Sequence, residues 1–203
     1  MRVLLLLALA VLAQAADAPR LIYSKSFPGS VPAYFAVTIA PDGAATYNES
    51  EDPDNEEKIH LDSATVKQAF DLADRLDHFK HPLESGLKIA NMGMKTLRWE
   101  QGGENSETKF NYSLSEDAKA LTDLFERVGE STRMLLDLRR VVKHDRLGVN
   151  DAVLRIMAAW NDHRLVAEDD FLPVLDQVAK DEAYIHMARE RAARIVDAIR
   201  ASH

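Results

Sequence analysis

Two histidines in the second half of the chain could take part in acid–base chemistry. His163 follows Asp162, and His186 lies between apolar residues in the last predicted helix. A histidine beside a carboxylate is a common general base, so these residues raise the hypothesis of a hydrolase. The chain has no Gly-x-Ser-x-Gly elbow, no histidine–glutamate zinc signature and no glycine-rich phosphate loop. The sequence therefore predicts no catalytic residue, and the hydrolase stays an alternative.

Two other patterns contain groups that bind metal ions. His78 and His81 are three residues apart, a spacing that can place two imidazoles on one helix face for zinc. The stretch Glu49–Glu57 holds six carboxylates in nine residues, but Pro53 interrupts it and it lacks the glycine of a calcium loop. A small-ligand or metal carrier is a further alternative. Because the histidine pair lacks a third ligand and the acidic stretch lacks the loop pattern, we predict no metal site and no cofactor.

The last predicted helix is rich in arginine. Its arginines are Arg189, Arg191, Arg194 and Arg200. They alternate with Glu190 and Asp197, which is typical of an exposed face with ion pairs. The opposite face is rich in alanine and would let another helix approach closely. We expect helix packing here, with a partner-binding surface as the alternative.

The first fifteen residues have the pattern of a cleavable signal peptide. Met1 and Arg2 precede an apolar run from Val3 to Leu12, and small residues flank the polar Gln14. The run is shorter than the roughly 20 apolar residues that span a bilayer. We therefore predict a signal peptide over residues 1–15 and a mature protein in the bacterial periplasm or culture medium. After cleavage we expect no membrane-spanning segment.

Composition narrows the classes of partner and chemistry. Cleavage leaves 188 of the 203 residues, and since Arg2 is the only charge removed, the net charge changes from −8 to −9. An acidic chain lacks the positive field that nucleic-acid binding requires, so we predict no nucleic-acid partner. The chain contains no cysteine, which excludes thiol nucleophiles, iron–sulfur clusters and cysteine zinc sites.

The predicted secondary structure changes from strands to helices near residue 115. Before it, alternating patterns predict strands over Leu21–Lys25, residues 33–39 and Ala45–Tyr47, with a turn at Asp42-Gly43. A helix is predicted from the N-cap Asp62 to His81-Pro82.

A second hairpin is predicted on either side of Gly102-Gly103. Leu97 and Trp99 alternate with polar residues before this turn. After the turn, Phe110, Tyr112 and Leu114 also alternate with polar residues, which predicts the second strand of the hairpin.

The remainder of the chain has a helical pattern. A helix starts after Ser115, and Gly129 and Ser131 interrupt its apolar stripe. Further helices are predicted from near Asn150, around Phe171–Val178 and over Glu182–Arg200.

These patterns predict the α+β class: an antiparallel sheet of about five strands with packed helices, followed by an all-helical C-terminal region. The expected organisation is a signal peptide over 1–15, a sheet domain over 16–128 and a helical region over 129–203. Whether the last two share one core is left open.

Two segments resemble known families. Gly29-x-x-Pro32-x-Tyr34, followed by Ile39, Asp42-Gly43 and Tyr47, resembles the opening hairpin of small bacterial secreted domains of unknown function. That resemblance would cover residues 20–128 and implies no activity. Residues 171–199 are similar to a HEAT-type helical pair, which implies helix–helix packing.

The leading functional hypothesis is an exported interaction module, periplasmic or secreted, that binds an unknown protein or envelope component. It follows from the export pattern, the regular fold pattern and the lack of a catalytic motif. The alternatives are an envelope hydrolase that uses His163 or His186, and a small-ligand or metal carrier. Enzymatic activity is left open, with the missing motifs favouring a non-enzyme.

Overall fold

The computed structural model describes residues 18–50, 52 and 55–202. The predicted signal peptide, residues 1–15, lies outside these residues. The strands are β1 Arg20–Ser26, β2 Tyr34–Ile39, β3 Ala44–Asn48, β4 Glu57–His60, β5 Met94–Gln101 and β6 Glu104–Phe110. The α-helices are α1 Ser63–Arg75, α2 Glu116–His144, α3 Val149–Asn161, α4 Leu172–Lys180 and α5 His186–Ala201. The α+β class is confirmed.

The sheet is antiparallel and its strand order is β4-β3-β2-β1-β5-β6, one strand more than the sequence predicted. The strand that was missed is β4, in which Ile59 alone is buried. A single buried residue among charged neighbours gives no alternating pattern to detect. Both predicted hairpins form, with Val37 opposite Tyr47 in the first and Leu97 opposite Thr108 in the second.

The chain divides into two compact units. Unit 1 contains residues up to 58 together with 62–125, and unit 2 contains residues 59–61 together with 126–203. The predicted domains, 16–128 and 129–203, stay a prediction. In the described residues, no helix is both long and apolar enough to cross a membrane.

The core of unit 1 lies on one face of the sheet. Leu21 of β1 is opposite Trp99 of β5, and Tyr23 is opposite Leu97. The ring of Tyr23 stacks on Phe125 with centroids 5.2 Å apart. Helix α1 buries Val66, Ala69, Leu72 and Ala73. Alternating strand residues and a helical stripe thus meet in one apolar layer, as the sequence pattern requires.

Helix α1 ends at Arg75, six residues before the predicted end at His81-Pro82. Asp77, His78 and Phe79 all have left-handed backbone angles, with φ of 46°, 50° and 64°. This turn buries Phe79, which is 1% exposed. Burial of this ring offsets part of the cost of the left-handed residues.

Strand β6 ends at Phe110, whereas the alternating pattern extended to Leu114. The backbone N–H of Asn111 donates to Glu84 Oε2 at 2.6 Å, and its side chain bonds the backbone of Ala90 and Met92. These contacts replace the ladder hydrogen bonds of a strand. As a result the strand is four residues shorter than the alternating pattern predicted, and Leu114 is 59% exposed.

Helix α2 continues through the interruption of its apolar stripe. Ser115 Oγ accepts the Ala118 N–H at its start. Near the interruption, Ser131 Oγ accepts the Val166 N–H at 3.1 Å, and Thr132 Oγ1 donates to the Val128 carbonyl at 2.8 Å. The buried hydroxyl groups of Ser131 and Thr132 are therefore satisfied without breaking the helix.

Unit 2 packs the second half of α2 with α3, α4 and α5. Its core includes Leu135, Leu138, Val153, Ile156, Phe171, Leu175, Val178, Ala192, Ile195 and Ile199. Helix α5 begins at His186 rather than near Glu182. Before it, Asp181 Oδ1 accepts the Ala183 N–H and the turn buries Tyr184, which is 6% exposed. The turn is preferred because it places this aromatic ring in the core.

Candidate functional site: a charged groove in unit 2

The histidines of the hydrolase hypothesis both lie at the surface of unit 2. His163 is exposed and has a left-handed backbone, φ 54°, just after α3. The His186 side chain is 77% exposed and pairs with Glu190 one turn later, at 3.3 Å. Neither histidine lines the groove between α2 and α3. The geometry gives these two histidines no assembled acid–base site, and the hydrolase stays an untested alternative.

The left-handed turn after α1 separates the two histidines of the metal hypothesis. His78 bonds Asp74 at 2.8 Å and stacks on Trp99, with ring centroids 4.0 Å apart. His81 is 76% exposed and pairs with Asp77 at 3.2 Å. Across the described part of the chain, no group of three or more His, Cys, Asp or Glu side chains could hold a metal ion.

The acidic stretch is described only in part, since residues 51, 53 and 54 lie outside the described residues. The Tyr47 hydroxyl donates to Glu49 at 2.7 Å, and Asn48 Nδ2 donates to the Asp52 carbonyl at 2.5 Å. The Glu49 carboxylate is thus bonded to Tyr47, whereas Asp52 takes part through its backbone carbonyl.

Two of the arginines of α5 connect this helix to other helices of unit 2. Arg200 pairs with Asp176 of α4 at 2.6 Å, and Arg191 donates to Asn150 Oδ1 of α3 at 2.5 Å. This arrangement fits the predicted role of α5 in helix packing.

Unit 2 has a groove between α2 and α3, with a volume of about 540 Å³. Its α2 wall consists of residues at spacings of three, four and seven: Glu130, Arg133, Met134 and Asp137. Residues at those spacings share one face of a helix. The opposite wall consists of Arg155 and Ala159 of α3, four residues apart, and of Arg164.

Ion pairs fix the charged side chains of the groove. Asp137 accepts from Arg140 at 2.6 Å and from Arg155, so this carboxylate joins α2 to α3. Glu130 Oε2 accepts from Arg164 Nη2 at 2.9 Å and from Nε at 3.2 Å. The guanidinium groups of Arg155 and Arg164 are held in one direction by these contacts, which lowers the entropy cost of binding a ligand.

The loop after α3 sets the position of Arg164. The N–H groups of Arg164 and Leu165 both donate to the Ala159 carbonyl, at 2.8 and 3.2 Å. Leu165 and Val166 are buried, and the Val166 N–H donates to Ser131 Oγ of α2. Arg164 is therefore attached to both walls through the backbone of its neighbours.

The lining has a local positive excess in an acidic chain. Three arginines lie with two carboxylates, Glu130 and Asp137, while the whole chain carries −8. Met134 and Ala159 are partly buried and add apolar surface. Guanidinium groups bind carboxylates in a planar, bidentate geometry, so the groove suits a ligand that combines carboxylates with apolar groups.

No residue of this groove was predicted from the sequence as a site residue. The spacing of Glu130, Arg133 and Asp137 is visible in the sequence, but it is typical of any exposed helix face. Arg155 and Arg164 lie eighteen and twenty-seven residues after Asp137. Only helix packing brings them beside α2.

In the comparisons with known proteins, no family model matches this chain and no curated protein sequence matches it. The predicted resemblances to small secreted domains and to a HEAT-type pair therefore stay predictions.

Proposed function

We propose that this chain is an exported binding module that binds an acidic peptide segment of a partner protein in the groove between α2 and α3. The observation that carries the proposal is the groove itself, with Arg133, Arg155 and Arg164 around an apolar strip of Met134 and Ala159. A partner segment with carboxylates on either side of an apolar residue would complement both features.

The size and the charge of the groove support a peptide. Its volume of about 540 Å³ lies within the roughly 300–1,000 Å³ of ligand sites. It is open to solvent along the helices, so an extended segment can enter from the side. The excess of arginine over carboxylate favours acidic ligands, and it also predicts that salt weakens binding.

Export belongs to the proposal as well. The pattern over residues 1–15 supports it, and its test is independent of the groove. Mass spectrometry of the protein from a native host should find an N-terminus at Ala16 in the periplasmic or culture fraction. An intact Met1 in the cytoplasmic fraction would contradict export. It would not affect the test of peptide binding in the groove.

The test of binding uses a labelled peptide in which glutamate and leucine alternate, with a lysine–leucine peptide as the comparison. Fluorescence polarisation should show that the mature chain binds the glutamate peptide more tightly, and more tightly at low ionic strength. The variant Arg155→Glu should bind it at least about tenfold more weakly, because the reversed charge opposes the ligand.

Arg146→Glu provides the matched control. It makes the same charge change on an exposed residue of unit 2 that does not line the groove. It should leave binding within about twofold of the original chain. Equal affinity for the two peptides would contradict the proposal. An equal loss of affinity for the glutamate peptide in Arg155→Glu and Arg146→Glu would contradict it as well.

A further inference from the structure

Unit 1 has a cluster of exposed apolar side chains at one end of its sheet. We call this cluster the apolar tip, and its members are Val31, Leu87, Ile89, Met92 and Met94. Each of these side chains is between 40% and 85% exposed. Single exposed apolar residues are common on protein surfaces, whereas several close together mark an interaction surface.

Two loops contribute to the apolar tip, and strand pairing brings them together. Met94, the first residue of β5, is opposite Ser26, the last residue of β1. Phe27 then begins the β1–β2 loop that carries Val31. The segment before β5 packs directly on this loop, because a Cβ at Gly93 would lie only 3.0 Å from Phe27 Cβ. The exposed side chains of both loops therefore lie at the same end of the sheet.

Backbone groups of the segment before β5 are bonded within the protein, although residues 82–93 form no helix or strand. The Leu87 N–H donates to Ser85 Oγ at 3.2 Å, and the Met92 N–H donates to Asn111 Oδ1 at 2.7 Å. Asn111 Nδ2 donates to the Ala90 carbonyl at 3.0 Å. Unpaired backbone groups are unfavourable in an apolar medium, so these bonds lower the cost of placing the segment against lipid.

The charge of the two loops differs from that of the rest of the chain. Residues 27–34 contain no charged residue, and residues 85–94 contain Lys88 alone, in a chain of net charge −8. Lys88 is exposed between Leu87 and Ile89. A lysine beside apolar residues can keep its ammonium group at lipid phosphates while its neighbours enter the acyl region. The apolar tip thus complements an anionic lipid surface.

We propose that the apolar tip binds the surface of a lipid bilayer that contains anionic headgroups. Leu87 and Ile89 enter the boundary between headgroups and acyl chains, and Lys88 contacts the phosphate groups. The apolar side chains project from loops, and a fluid bilayer accommodates projecting groups without a matching shape. Because few side chains enter the lipid, binding is reversible. This surface belongs to unit 1 and is separate from the peptide groove of unit 2.

The experiment measures co-sedimentation of the mature chain with vesicles of phosphatidylethanolamine and phosphatidylglycerol. The original chain should bind the vesicles. Leu87→Gln/Ile89→Gln should weaken binding at least about tenfold, because two apolar side chains no longer enter the lipid. Lys88→Glu should weaken it at least about fivefold.

Leu147→Gln/Leu154→Gln is the matched control for the double variant. It makes the same chemical change at two apolar residues of unit 2 that are 89% and 41% exposed. It should leave vesicle binding within about twofold of the original chain. Circular dichroism checks that every variant is folded, as expected for exposed side chains.

A second measurement locates the contact without removing it. The chain has no cysteine, so Leu87→Cys and Leu147→Cys each provide a single site for a polarity-sensitive dye. Vesicles should shift the emission of the dye at position 87 to shorter wavelength and leave that at position 147 unchanged.

Three results would overturn the proposal. The first is that the original chain does not bind the vesicles. The second is that the two double variants lose binding equally, or that the two dyes shift equally. The third is that Leu87→Gln/Ile89→Gln changes the mass of the chain in sedimentation equilibrium but not its vesicle binding, which would assign the apolar tip to contact between copies. These changes leave the groove intact, so the peptide test stays independent.

Discussion

The N-cap of α1 provides a quantitative test of how the local sequence stabilises unit 1. Asp62 Oδ1 accepts the N–H groups of Ala64 and Thr65, both at 2.9 Å, and Oδ2 accepts the Thr65 hydroxyl at 2.6 Å. Replacing an N-cap Asp by Ala typically costs about 1 kcal/mol and at most about 2 kcal/mol. Since two backbone donors lose their acceptor here, we expect Asp62→Ala to cost about 1.5 kcal/mol.

The charge of Asp62 makes the free energy of unfolding depend on pH, and the direction follows from its pKa. Burial acts to raise the pKa of Asp62, but the hydrogen bonds from Thr65 and Ala64 outweigh it and hold this pKa below its ordinary value of 3.8. A lowered pKa in the folded state means that the carboxylate stabilises the fold above pH 3.8. That contribution is lost as the pH falls through the folded-state pKa. Asp62→Asn keeps an acceptor but does not titrate, so its stability should lack this loss.

The assay is urea unfolding monitored by the fluorescence of Trp99. The ring of Trp99 packs against that of Phe70 of α1, with ring centroids 5.9 Å apart. A Trp160→Phe background removes the second tryptophan of the chain. Asp71→Ala is the control, because Asp71 on the same helix pairs only with the exposed Lys67 and should cost less than about 0.5 kcal/mol. If Asp62→Ala and Asp71→Ala lower the free energy of unfolding equally, the N-cap does not contribute the stability assigned to it. The free energies of unfolding of the original chain and of Asp62→Asn should converge below neutral pH. If their difference stays constant from neutral pH to about pH 3, the Asp62 charge does not stabilise the fold.

Three further changes test the contacts of unit 1. Asp77→Gly should raise the free energy of unfolding by about 0.5–1 kcal/mol, measured by urea unfolding, because glycine adopts the left-handed backbone without strain; a loss of stability would contradict this. Asn111→Ala should increase amide exchange at Met92, whose N–H donates to the Asn111 side chain at 2.7 Å, while unchanged exchange would show that the loop is held by other contacts. Phe125→Ala should cost about 3–5 kcal/mol, because the ring is fully buried and stacks on Tyr23, and a melting temperature within a few degrees of the original would contradict it.

Local patterns in the sequence were sufficient for most of the elements. Alternation predicted β1, β2 and β5, and the Asp62 cap predicted the start of α1, because these signals depend only on residues a few positions apart. The predictions failed where a local pattern competed with a tertiary contact. Phe79 and Tyr184 are buried in turns where the sequence pattern predicted helix, so α1 ends earlier and α5 begins later than predicted. Strand β6 ends before Asn111 because this residue bonds to a distant loop.

The candidate site could not be predicted because its walls come from separate helices. The sequence determines that α2 and α3 are helices and that each has charged residues on an exposed face. It does not determine which faces meet, since that depends on how the buried stripes of unit 2 pack together. The tertiary structure alone places Arg155 against Asp137 and Arg164 against Glu130. Short-range periodicity fixes the elements, whereas the site arises from packing between residues far apart in the chain.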